Sequence, residues 1–98
     1  MTAATSPSIQ VRVTAVLQKH TNGQKTIEAR GDTVSAVLED IERLHPGFRA
    51  QLYGADGKLH RFVNVYLNDE DIRYTGGVET SLKQGDVLDI LPALAGGA

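Results

Sequence analysis

Apolar and polar residues alternate from the ninth position onward: Ile9, Val11, Val13, Ala15 and Leu17 are spaced by Gln10, Arg12, Thr14 and Val16. Successive side chains of a strand point to opposite faces, so this period of two predicts a half-buried strand. Asn22-Gly23 stands where a tight turn needs positive backbone angles, and Gln24 to Ala29 reads as the returning strand of a hairpin. After Gly31 the period changes. Val34, Val37, Leu38, Ile41 and Leu44 recur at intervals of three and four, which aligns them on one face of a helix. Asp32 or Thr33 is placed to cap its first turn and Pro46-Gly47 to stop it, while Glu39, Asp40, Glu42 and Arg43 cover the other face. Phe48 to Tyr53 is expected to form no more than a helical turn before the loop Gly54-Ala55-Asp56-Gly57.

The second half returns to strands. Phe62 to Leu67 is rich in aromatic and β-branched residues and reads as a central strand. Asn68-Asp69 turns it, Ile72 to Tyr74 is expected as a short further strand, and Gly76-Gly77 breaks the chain again. Val87 to Leu91 is the last strand, ended by Pro92. One helix covers only one face of a sheet. The economical arrangement is therefore an α+β fold, a mixed four- to five-stranded sheet with one main helix packed across one face. This is the β-grasp, or ubiquitin-like, order of elements. Residues 1–8 are expected as a flexible lead-in, 9–92 as the domain and 93–98 as a flexible tail.

Composition narrows the chemistry. A chain of 98 residues has room for one core, and no run approaches the ~20 apolar residues of a membrane span. Ten Lys+Arg against 12 Asp+Glu give a formal net charge of -2, which argues against nucleic acid as the main partner. Cys 0 excludes disulfides, a thiolate zinc site and a cysteine nucleophile, and it fits a reducing compartment. The amino terminus lacks a charged segment followed by an apolar run, so a cytoplasmic protein without a secretory signal is expected.

The remaining polar residues suggest no enzyme. His20, His45 and His60 show no i, i+4 pair suited to a metal, and no Ser or Thr is matched to a base and an orienting acid. Asp69, Glu70 and Asp71 place three carboxylates together. They read first as a solvated turn and second as a charged contact for a basic partner, and their spacing is not that of a calcium loop. Partner contacts are expected on an exposed sheet face, with Phe62, Tyr66 and Leu88 as candidates beside Asp69, Glu70 and Asp71.

The carboxyl end carries the strongest signal. Pro92 is followed by Ala93-Leu94-Ala95-Gly96-Gly97-Ala98, small and mostly apolar. A diglycine has no Cβ atoms, so it can thread a narrow channel, and a glycyl carbonyl is the least hindered for nucleophilic attack.

Several stretches carry a resemblance: His20-Thr21-Asn22-Gly23-Gln24-Lys25, Gly57-Lys58-Leu59-His60-Arg61-Phe62-Val63-Asn64-Val65-Tyr66, Asn68-Asp69-Glu70-Asp71-Ile72-Arg73, and Ile90 to Gly97. In these the chain resembles the ThiS/MoaD family of ubiquitin-like sulfur carriers, and within it the CysO-type carriers of cysteine biosynthesis. The resemblance implies that a ubiquitin-activating-like enzyme adenylates the Gly97 carboxylate with MgATP. A sulfur donor then displaces AMP to leave a thiocarboxylate. A PLP-dependent cysteine synthase would couple that sulfur to a product of O-phosphoserine, and a JAMM-type zinc metalloprotease would release cysteine. Gly97 would react, Gly96 would supply flexibility, and Ala93, Leu94 and Ala95 would line the partner's channel. The carrier itself would bind no cofactor and would be monomeric when free.

Two departures qualify this. Ala98 follows Gly97, so the glycine carbonyl is held in a peptide bond. The favoured expectation is a precursor from which the same zinc protease removes Ala98; the alternatives are an appended residue foreign to the natural chain, or a protein inactive in this form. Ala93 stands where many molybdopterin-synthase small subunits have a second proline. Four readings are therefore carried forward: a sulfur carrier for cysteine or a related product, a molybdopterin-synthase small subunit, a ubiquitin-like modifier, and an inert interaction domain.

Overall fold

The computed structural model describes residues 6–54, 57–60 and 63–92. Strand β1 (Ser8–Val13) buries Ile9, Val11 and Val13 and exposes Gln10 and Arg12, as the alternation requires. It stops earlier than the pattern predicts. Thr14 leads into a single helical turn, α1 (Ala15–Gln18), which tucks Leu17 into the core. Leu17 satisfies both periods, so the strand pattern runs past the true break. Asn22 and Gly23 have positive φ (57° and 80°), the backbone that the Asn-Gly pair favours. Buried Thr21 steadies this connection by donating to the Gln24 carbonyl at 2.9 Å. Strand β2 (Thr26–Arg30) returns antiparallel to β1.

Helix α2 (Val34–Leu44) begins at Thr33, whose Oγ1 accepts the Ala36 N–H at 3.1 Å. Val34, Val37, Leu38 and Ile41 are buried, but Leu44 is 45% exposed because the helix ends there and His45 caps it. Phe48 fills the core position beyond the chain reversal at Gly47. Gly31 lets the end of β2 approach this helix, since a Cβ there would lie 2.7 Å from the Val37 nitrogen. Asp40 ties the two together by accepting the Arg30 N–H at 2.8 Å. A 3₁₀ turn, Arg49–Gln51, follows.

Strand β3 (Val63–Leu67) and a two-residue β4 (Glu70–Asp71) come next. Ile72–Tyr74, expected as a strand, is a 3₁₀ turn capped by the Asp71 carboxylate. Strand β5 spans Val87–Pro92. The sheet order is β2-β1-β5-β3-β4, with β1 and β5 parallel and the other pairs antiparallel. β5 lies in the middle of the five, and β3, paired on both sides by β5 and β4, is an interior strand as expected. Pro92 is not outside the ladder, for it pairs in register with Val63. Helix α2 lies over one face, sealing Ile9, Val11, Val65, Leu88 and Ile90. The result is the expected β-grasp arrangement, with β5 aimed toward the carboxyl end.

Candidate functional site: the root of the carboxyl tail

The residues singled out for chemistry, Ala93, Leu94, Ala95, Gly96, Gly97 and Ala98, lie outside the described residues, as does Phe62. What the structure places is the surface from which they depart. Alternation along β5 points Leu88 and Ile90 into the core, both 0% exposed, and leaves Asp89 and Leu91 on the uncovered face. This corrects the expectation for Leu88. It is a core residue and offers nothing to a partner.

Asp89 has Arg12 of β1 as its neighbour on one side and Tyr66 of β3 on the other. Arg12 grips it with two bonds, Nε to Oδ1 at 2.6 Å and Nη2 to Oδ2 at 2.8 Å. Hydrogen bonding to Asp89, then its charge, raises the Arg12 pKa. Two residues further along β5, Leu91 faces Asn64, and Arg73 donates to the Asn64 side-chain oxygen. Arg73 also binds Asp71, Nη2 to Oδ2 at 3.0 Å, and this bonding holds the Asp71 carboxyl below its ordinary range. Exposed ion pairs of this kind add little stability. They set polar side chains around half-buried Tyr66 and exposed Leu91 on this face. Tyr74, 84% exposed, flanks Arg73.

The acidic turn divides. Asp69 and Glu70 are exposed to solvent, whereas Asp71 is taken up by Arg73. Asn68 and Asp69 both have positive φ (50° and 75°), and the exposed Asn68 side chain reaches back to the start of β5. Its Oδ1 accepts the Val87 N–H at 3.0 Å and its Nδ2 donates to Asp86 at 3.1 Å. Among the described residues no three His, Cys, Asp or Glu side chains converge as a metal site.

Asp86 is the buried carboxylate of this region. Burial acts to raise its pKa, but the Lys83 N–H at 2.9 Å, the Asn68 amide and the Lys83 ammonium outweigh it, and the net shift is downward. A carboxyl whose folded pKa lies below its unfolded value stabilises the fold above the unfolded pKa, and the contribution disappears as pH falls through the folded value. Urea midpoints of the wild type should therefore drop below about pH 4, whereas Asp86→Asn should show a lower midpoint at pH 7 and a flatter acid limb. Asp86→Ala should cost about 1–3 kcal/mol by orphaning its donors.

Reasoning from sequence missed Arg12, Asn64, Arg73 and Asp89. For Arg12, Asn64 and Asp89 the available signal was polar character on the outward parity of a strand. The β1–β5 register that joins Arg12 to Asp89 is not local, and Arg73 reaches Asn64 from a 3₁₀ turn that the sequence reads as a strand.

Comparison with known proteins adds four findings. The model of the ThiS family matches residues 11–97. The sulfur carrier protein CysO of Mycobacterium tuberculosis is 47% identical over 92 residues, spanning 92% of this chain and 99% of that protein. A crystal structure of the Amycolatopsis orientalis BexX/CysO complex superimposes with a TM-score of 0.82 at 48% identity, covering 87% of this chain and 94% of the other. A more distant relative, small archaeal modifier protein 3 of Haloferax volcanii, is 36% identical over 78 residues, 76% of this chain and 84% of its own.

Proposed function

The chain belongs to the ThiS family, and we propose that it works as a sulfur carrier through a thiocarboxylate on Gly97, supplying sulfur for cysteine or a related product. One observation supports this most: near-complete coverage by a named sulfur carrier, together with a family match that runs to Gly97. The chemistry follows from a carboxylate's poor electrophilicity. With Ala98 removed, an oxygen of the Gly97 carboxylate attacks the α-phosphate of ATP held by an adenylating enzyme, and pyrophosphate leaves. Sulfide sulfur, or the terminal sulfur of a persulfide, then attacks the acyl carbon. AMP departs with the C–O bond's electrons; a persulfide would also need a thiol to take up its remaining sulfur.

The thiocarboxylate next attacks the electrophile that a PLP-dependent synthase makes from O-phosphoserine, and a zinc protease of the JAMM type frees the product. The open sheet face around Asp89, Tyr66 and Leu91 is the surface such partners grip while the tail enters their active sites. Being complexed with a second protein is a property of the BexX/CysO relative, and it favours partner docking here.

The likeness to an archaeal modifier protein favours one second reading, in which the same activated carboxyl is transferred to a lysine amine. The two diverge in product, a thiocarboxylate or an isopeptide. The first step is tested by incubating the chain ending at Gly97 with the adenylating enzyme and ATP. Pyrophosphate should be released, and the chain retaining Ala98 should release none. Equal release from both would overturn the requirement for processing, and release from neither would overturn the proposal.

A further inference from the structure

Strand β2 ends the sheet on one side, and an outer strand presents backbone groups to which another strand can add. Two bonds flank it, Val13 N–H to the Lys25 carbonyl at 2.9 Å and Gly31 N–H to the Pro7 carbonyl at 3.1 Å. Ile27 and Ala29 therefore turn their backbone groups to β1, and Thr26, Glu28 and Arg30 turn theirs outward. Both ends of this outward row are occupied. Gln24, the next outward position, donates its N–H to the Thr21 carbonyl at 3.0 Å, and its carbonyl accepts the Thr21 hydroxyl at 2.9 Å. At the other end the Arg30 N–H donates to Asp40 Oδ2 at 2.8 Å, while Asp40 Oδ1 accepts Arg43 Nη2 at 2.7 Å.

The N–H that Asp40 covers decides which pairings are open to a second copy. An antiparallel pair of β2 strands centred on Ala29 would set Glu28 of each copy opposite Arg30 of the other, with both backbone bonds exchanged. Opposite charges facing across strands stabilise the pair. Centred on Glu28, the pair would instead oppose two carboxylates, and centred on Ile27 it would face Glu28 with Thr26. The charge-matched register is the one that needs the Arg30 N–H. Glu28 and Arg30 are both exposed; their side chains donate to or accept from local groups, the Ser6 carbonyl and the Ser8 hydroxyl, that a facing strand leaves in reach.

We propose that Asp40 closes a self-complementary docking edge. With its carboxylate on the Arg30 N–H the chain stays single, and without it two copies join through β2 in the register centred on Ala29. This edge lies apart from the tail, so the proposal stands independently of the carrier reading.

Sedimentation velocity of the full chain across a dilution series is the test. The wild type should stay single throughout, and Asp40→Ala should form a pair as concentration rises. Alanine suits a helix interior, so the fold should survive the change. In dilute Asp40→Ala the Arg30 amide should exchange with solvent at least about tenfold faster than in the wild type, and slow again on pairing. Asp40→Asn, which keeps an acceptor oxygen, should stay single. Glu28→Arg or Arg30→Glu, each added to Asp40→Ala, should abolish pairing, and mixing these two chains should restore it, because every charge again meets its opposite. A wild type that pairs, an Asp40→Ala chain that stays single, pairing of Asp40→Asn as strong as that of Asp40→Ala, or no mixed pair would each overturn the proposal.

Discussion

Removing Gly97 from the chain that lacks Ala98 should lower sulfur loading by at least about a hundredfold while leaving the unfolding transition where it was. The loss follows from geometry, since a carbonyl one residue short cannot sit at the reacting position, and even small misplacements cost that much. The unchanged stability follows from where the described core ends. Leu88 and Ile90 are its last contributors, and both precede the tail. Gly97→Val should load poorly as well, because a branched side chain crowds the activated carbonyl. Intact mass and a thermal melt on the same samples check both halves. Loading retained without Gly97 would show that another carboxylate is the one activated.

The largest effect on folding should come from Phe48→Ala, at about 3–5 kcal/mol, the usual cost of emptying a fully buried aromatic position. Phe48 is 0% exposed, the bulkiest of the fully buried side chains, and takes over core filling where α2 ends. Against a domain stability of about 5–15 kcal/mol this is a large fraction. The urea midpoint should fall sharply with an unchanged slope. Sulfur loading per folded molecule should stay close to that of the wild type, because Phe48 acts on the core and not on the tail. A loss of loading at full stability would instead place Phe48 in the partner interface.

How far the fold could be read in advance depended on where one period held alone. In β1 the polar residues Gln10 and Arg12 separate buried neighbours, and the parity is plain. In α2 the spacing of Val34, Val37, Leu38 and Ile41 admits one interpretation. Leu17 fits two periods at once, which hid the turn into α1. In β5 apolar residues occupy both parities, Leu88 and Ile90 inward and Val87 and Leu91 outward, so its burial could not be assigned until the register was known. The single charged residue there, Asp89, marks the open face, but only beside Arg12 does that become a site. Register between β1 and β5 joins residues 77 apart in sequence, and no local pattern encodes it. The family was legible in a different way, from resemblance along the chain, and the proposed chemistry rests on the diglycine that follows the last strand in sequence.

Those parts meet in one claim, that sulfur travels on the carboxyl end of a chain with no thiol of its own. Its most direct measurement is the intact mass of the chain ending at Gly97 after incubation with the adenylating enzyme, ATP and sulfide. The account predicts the gain of one oxygen-to-sulfur exchange, located on the carboxyl-terminal peptide and absent when ATP is withheld. An unchanged mass, under conditions in which the same enzyme releases pyrophosphate, would contradict it.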